Sequence, residues 1–211
     1  MPHKAKRWLI RHYQDNFLMY FIISILFIVG IVAGAITIKV LGSDKNDEAM
    51  YFLNSFFKAI DNNSLNSISI LKQSLIDNYK AILALWVSGI IYLGFIISPI
   101  VILFRGFALG FSVGFFVHEY GIKGFLFSIF GILPQNLLMI PSIISIASIS
   151  MAYSVAKAKK RKIRINSNTK FSYLADYSLL IFGFSLMLFI GSLIEAYLAP
   201  IFLRFLIDYF S

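Results

Sequence analysis

The sequence contains no cysteine. Disulfides, thiolate nucleophiles and cysteine metal sites are excluded at the outset. Charge is scarce as well: 14% of the 211 residues are Asp, Glu, Lys or Arg, against about 25% in a soluble domain. The strict apolar–polar alternation of a membrane β-barrel is missing. So are a P-loop, a His-Glu-x-x-His pair and a sensibly placed Ser/His/Asp set. The chain is therefore expected not to be an enzyme. Its histidines, His3, His12 and His118, are scattered. His118 with Glu119 reads as an interfacial polar pair, and neither a metal nor another cofactor is expected.

Apolar residues are abundant, at 59% of the chain with a mean hydropathy of +0.80. They come in long unbroken runs that a soluble fold could not cover with polar surface. A bilayer core about 30 Å thick is crossed by about 20 apolar residues in a helix. With no water to bind exposed backbone groups, helices are the remaining way across. The expectation is an all-α polytopic helical membrane protein, a single integral membrane domain over 1–211. About five transmembrane helices are expected, over 17–41, 81–104, 106–120, 124–152 and 174–198, with short extracytoplasmic amphipathic helices. The first run is too long for a signal-peptide core and no Ala-x-Ala site follows it, so it reads as an uncleaved anchor.

The formal net charge is +9. Much of it sits in two segments beside apolar runs: Lys4, Lys6, Arg7 and Arg11, then Lys157, Lys159, Lys160, Arg161, Lys162, Arg164 and Lys170. That placement fits membrane topology and anionic lipid rather than nucleic acid. The positive-inside rule puts the N-terminus and the 157–170 loop in the cytoplasm. Segment 42–80 then faces outward. Its charge is nearly balanced, and Leu53, Phe56, Phe57 and Ile60 recur at helical spacing, as do Leu65, Ile68, Leu71, Leu75 and Tyr79. Asp61-Asn62-Asn63-Ser64 between them is a turn signal, so two short amphipathic helices are expected. Beyond Pro200, the apolar tail lies in the interface or re-enters the membrane.

Three features could carry function. Gly106, Gly110 and Gly114 share one helix face, which lets another backbone approach closely. This face serves packing within the bundle, or it is a surface for self-association into a homo-oligomer or for a partner. Pro134, Gln135 and Asn136 stand inside an apolar run. They form a kink whose amides satisfy freed carbonyls, or a broken helix lining a polar pocket. Glu195 is an acid in the last apolar block. It pairs with Gln135, Asn136 or Arg105, or reaches the outer interface. An intramembrane cluster of Pro134, Gln135, Asn136 and Glu195 would suit a small-solute or ion transporter or channel, though no inverted repeat is evident.

The stretch Phe104-Arg105-Gly106-Phe107-Ala108-Leu109-Gly110-Phe111-Ser112-Val113-Gly114-Phe115 is followed by Gly121-Ile122-Lys123-Gly124-Phe125, Leu133-Pro134-Gln135-Asn136-Leu137 and Ile194-Glu195-Ala196-Tyr197-Leu198-Ala199-Pro200. In this order they resemble the stage II sporulation protein M family of endospore-forming bacteria. Distant members often show Pro-His-Gly where Pro134-Gln135-Asn136 stands here. The resemblance implies a membrane scaffold for sporulation engulfment, in the septal and engulfing mother-cell membrane. It also implies two peptidoglycan-degrading partners, stage II sporulation proteins P and D. On that footing segment 42–80 is the expected docking platform, with Phe52, Phe56, Phe57 and Ile60 as the leading contacts. The plainer role of those four side chains is packing on the bundle or bilayer.

Overall fold

The computed structural model describes residues 13–40, 66–160 and 167–202. Phe52, Phe56, Phe57 and Ile60 lie outside the described residues, as does the first expected amphipathic helix. The helices are α1 (Phe17–Val40), α2 (Ser67–Ile90), α3 (Gly94–Gly131), α4 (Leu133–Lys160) and α5 (Ser167–Leu193), the last running into a π-helical turn, Ile194–Leu198. No strand occurs among the described residues. Four segments are long and apolar enough to cross a membrane: Phe17–Ile38, Gly94–Gly131, Leu133–Ala158 and Leu174–Phe202. The chain is a helical membrane protein.

Helix boundaries in the middle of the chain differ from the sequence expectation. The apolar run 81–104 is not one helix. α2 starts at Ser67, where the Asn66 side chain accepts a bond from the Ile68 amide at 3.0 Å. It therefore joins the expected second amphipathic helix to the first half of the expected span. The chain turns at Ile91–Leu93, with Tyr92 at φ 66°. α3 then takes the rest of the run together with 106–120. Apolarity is continuous across this turn, so hydropathy gives no sign of it. Tertiary contacts hold it instead. Lys157 Nζ donates to the Ile90 carbonyl at 2.6 Å, at the negative end of α2, and lies 4.6 Å from the Tyr92 ring centroid.

α3 is interrupted at Gly121, whose φ of 57° and ψ of −128° are not helical. A straight helix would separate Phe116 from Gly124 by about 12 Å. Instead a Cβ placed on Gly124 would overlap the Phe116 carbonyl. The chain thus folds back on itself, and 122–131 returns along the segment before the bend. A second interruption at Ile132 separates this segment from α4. The expected span 124–152 is accordingly divided. Pro134 sits in the first turn of α4, where its missing N–H leaves no helix bond unmade.

Side-chain contacts fix the helix directions. α1 and α3 run parallel: Gly106 faces Phe27, Gly110 faces Ile31 and Gly114 faces Ala35. α4 is antiparallel to α1, with Tyr13 against Ser145 at 3.0 Å near one end and Phe27 and Met139 in a shared wall further along. It is antiparallel to α5 as well, since Gly191 meets Met139 while Tyr153 and Tyr177 stack at 4.2 Å. The start of α1, the α2–α3 turn and the end of α4 therefore share one end of the bundle. Both basic segments adjoin helix termini at that end.

The core gathers Ile23, Phe27, Leu85, Ile102, Ile143 and Ile146 from four helices. α4 is the most enclosed, and serines make it narrow: Ser142, Ser145 and Ser148 are buried. Each hydroxyl donates to the carbonyl four residues earlier, at 2.6–2.7 Å. Large apolar residues such as Phe17, Ile28, Phe104 and Phe182 stay exposed on the outside. In water such a surface would be untenable; in lipid it is the expected belt.

Candidate functional site

The tandem glycines lie in the α1–α3 seam. A Cβ on Gly106 would strike the Phe27 carbonyl, and one on Gly110 the Ile31 carbonyl. One on Gly114 would come within 3.0 Å of the Ala35 Cα. α1 answers with its own Gly30 and Gly34, which meet the backbone of Leu103 and Phe107. The backbones approach because neither side carries a side chain there. Of the two expected roles, internal packing is the one this face fulfils in the monomer.

Beyond this seam a cavity of about 330 Å³ opens inside the bundle. α2 contributes Ser74 and Asn78, α3 contributes Arg105, α4 contributes Gln135 and Asn136, and the π turn contributes Glu195. The π turn at Ile194–Leu198 inserts an extra residue per turn just where Glu195 stands. Residues as far as 121 positions apart in sequence, Ser74 and Glu195, thus meet around one volume.

The polar groups form a chain of bonds. Arg105 Nη2 donates to Asn78 Oδ1 at 2.8 Å and to the Asp77 carbonyl at 3.3 Å. Asn78 Nδ2 donates to Ser192 Oγ at 3.0 Å and to Ser74 Oγ at 3.3 Å. Ser74 Oγ donates to Glu195 Oε2 at 2.5 Å, the length of a charge-assisted O–H···O⁻ bond, about 2.5–2.7 Å. Donation runs one way, from the guanidinium to the carboxylate. Each bond polarises the next in the low-dielectric interior. Two opposite charges are therefore linked through neutral side chains. Among the described residues no carboxylate oxygen lies within 4.0 Å of the Arg105 guanidinium.

Gln135 and Asn136 do what the kink requires. Gln135 Nε2 donates to the Gly131 carbonyl at 2.8 Å, and Asn136 Nδ2 to the Ile132 carbonyl at 2.7 Å. Those carbonyls lie at the interruption before α4. Both sequence readings hold together here: the amides satisfy the break, and the break lines a polar pocket. Glu195 joins the same cavity, but its partner is Ser74 rather than Gln135, Asn136 or Arg105. Pro134 shapes the helix start without facing the cavity.

Sequence reasoning missed Ser74, Asn78 and Ser192. The only signal was spacing: Ser74 and Asn78 are four residues apart on one face, and Ser192 precedes Glu195 by three. His118 Nδ1 meets Glu119 Oε1 at 3.0 Å just before the Gly121 bend. No group of three or more potential metal ligands occurs among the described residues.

The family model for stage II sporulation protein M matches residues 23–200. No curated protein matches the chain, and no solved structure does. The matched range takes in the α1–α3 seam, the cavity and the π turn; the chain belongs to the stage II sporulation protein M family.

Proposed function

We propose, from that membership, that this sporulation-related membrane protein is a non-catalytic scaffold for engulfment. It recruits the peptidoglycan-degrading stage II sporulation proteins P and D to the septal and engulfing mother-cell membrane. The observation that carries the reading is the family match over residues 23–200. The N-terminus and the 157–170 loop face the cytoplasm, where anionic lipid attracts their lysines and arginines. The common end shared by the α1 start and the α4 end supports that orientation.

Segment 42–80 is the docking platform in this reading. Its described part is the first half of α2, which exposes Ile68, Lys72, Gln73, Ile76 and Tyr79. The test is affinity capture of the detergent-solubilised full chain from sporulating cells, with bound proteins identified by mass spectrometry. The wild type recovers both partners. A variant with Phe52, Phe56 and Phe57 changed to Ser inserts normally and recovers neither. Undiminished recovery by that variant removes the platform from the reading, and absence of both partners from the wild type removes the scaffold itself.

A further inference from the structure

Of the helices described, α2 alone is absent from the four apolar spans, yet it lies among them. Contacts fix its depth. Asn78 meets Arg105, the neighbouring Gly106 faces Phe27, and Phe27 is midway along the span Phe17–Ile38. Near this level the outward side chains of α1 and α3 are apolar, Ile28 and Phe104 among them. On α2 they are Gln73, Asp77 and Lys80, and the Asp77 and Lys80 side chains are 55% and 73% exposed. Ionised groups at membrane depth face protein or a water-filled cavity rather than lipid. This face of α2 therefore calls for a protein cover.

Spacing specifies the cover. Ser69, Gln73, Ile76, Lys80, Leu83 and Val87 follow one another at alternating steps of four and three, and all six are exposed. That is the a/d seam of a heptad repeat, which packs knobs into holes against a second helix. The buried Ser74, Asn78, Ile82 and Leu85 occupy the opposite face, toward the bundle. Lys72 and Asp77 flank the seam on its two sides, at g and e positions. In a parallel two-stranded pair, a g residue lies beside the next e residue of the other strand, and opposite charges there set the partner and its orientation. Two copies of α2 thus place Lys72 of each against Asp77 of the other. Within one copy the Asp77 carboxylate takes a bond from Gln73 at 2.9 Å and has Lys80 at 4.0 Å.

We propose that this stripe is a self-association surface, on which a second copy of the chain docks α2 along α2, in parallel, about a two-fold axis normal to the membrane. Copies inserted in one orientation can meet isologously only in this way, so the pairing that the charges select is the one the bilayer imposes. The inference does not rest on the scaffold reading. The interface takes the α2 stripe, and capture of the degrading partners by variants of Phe52, Phe56 and Phe57 is read separately.

The chain has no cysteine, so a single introduced thiol reports on one position. Each full-length cysteine variant is co-expressed in sporulating cells as two copies with different epitope tags, and the membranes are oxidised with copper phenanthroline. Ile76→Cys and Leu83→Cys give an adduct carrying both tags, at least tenfold more than Ile28→Cys or Leu186→Cys on the outward faces of α1 and α5. In the Ile76→Cys chain, Lys72→Asp and Asp77→Lys each lower the adduct several-fold by setting like charges together, and the two combined restore it. The cysteine pattern decides alone should a charge variant fail to insert. Equal adduct at the four positions, or none at Ile76 and Leu83, overturns the proposal. So do inserted charge variants without effect, or a double variant no better than the singles. An adduct of Ile76→Cys with another polypeptide, and none carrying both tags, replaces the second copy by a different partner or a lipid-facing stripe and overturns it as well.

Discussion

Adding one methyl group along the α1–α3 seam should destabilise the bundle in a graded way set by the backbone it meets. At Gly110 a Cβ would overlap the Ile31 carbonyl, a backbone atom that cannot rotate aside. Accommodating it means moving α1 away from α3, which loosens the contacts of Gly106 and Gly34 as well. Overpacking a well-packed site costs about 1–3 kcal/mol, and Gly110→Ala belongs at the upper end of that range. At Gly114 the neighbour is the Ala35 Cα at 3.0 Å, which a few tenths of an ångström would relieve; Gly114→Ala belongs at the lower end. Gly183 in α5 has nothing within 4 Å of an added Cβ. There the gain in helix propensity, about 0.5–1 kcal/mol for Ala over Gly, is unopposed. The assay is reversible unfolding in mixed micelles, with all three variants and wild type at equal protein-to-detergent ratio. The expected order of stability is Gly183→Ala, wild type, Gly114→Ala, Gly110→Ala. Equal effects at the three positions, or a neutral Gly110→Ala, would refute the close backbone seam.

Ser74→Ala removes the donor to Glu195 and should cost about 1.5–3 kcal/mol, as for a hydrogen bond to a charged group; unchanged unfolding would mean that the 2.5 Å bond contributes nothing. Lys157→Met uncaps α2 and ends the contact with Tyr92, for a loss of about 1–2 kcal/mol. In hydrogen exchange that loss should concentrate at the Ile91–Leu93 turn, and uniform exchange along α2 would contradict it. Gly121→Ala meets no atom within 4 Å, yet its φ of 57° and ψ of −128° are unsuited to an L side chain. A cost of about 1–3 kcal/mol is expected from backbone strain alone, and a stabilised variant would show that the bend is not fixed at this residue.

Class of fold and the main site residues were legible because lipid imposes a simple rule on sequence. Long apolar runs identify helices, and rare polar residues within them stand out: Gln135, Asn136 and Glu195 do meet at one cavity. Boundaries were not legible where apolarity is continuous. The turn at Tyr92 is held by Lys157 from α4, a contact 67 residues away that no local pattern encodes. The fold-back at Gly121 was visible only as a short break, since its reversal depends on Gly124 admitting the Phe116 carbonyl. Spacing singled out Gly106, Gly110 and Gly114, but their partner face, Gly30 and Gly34, became decisive only once α1 and α3 lay parallel. Ser74 and Asn78 escaped notice because serine and asparagine in a moderately polar helix are unremarkable until a carboxylate and a guanidinium arrive beside them.

α2 ties the proposed docking segment to the cavity. It begins at Ser67, directly after the stretch that holds Phe52, Phe56, Phe57 and Ile60, and continues unbroken to Ile90. Within it, Ser74 and Asn78 supply every side-chain link between Arg105 and Glu195 in the network. Its far end is pinned by Lys157 and by Tyr177, whose hydroxyl donates to the Trp86 carbonyl at 2.8 Å. α1 and α3, by contrast, are locked backbone to backbone and have little freedom to slide. Any displacement of α2 must therefore break the hydrogen bonds through which Asn78 and Ser74 join Arg105 to Glu195.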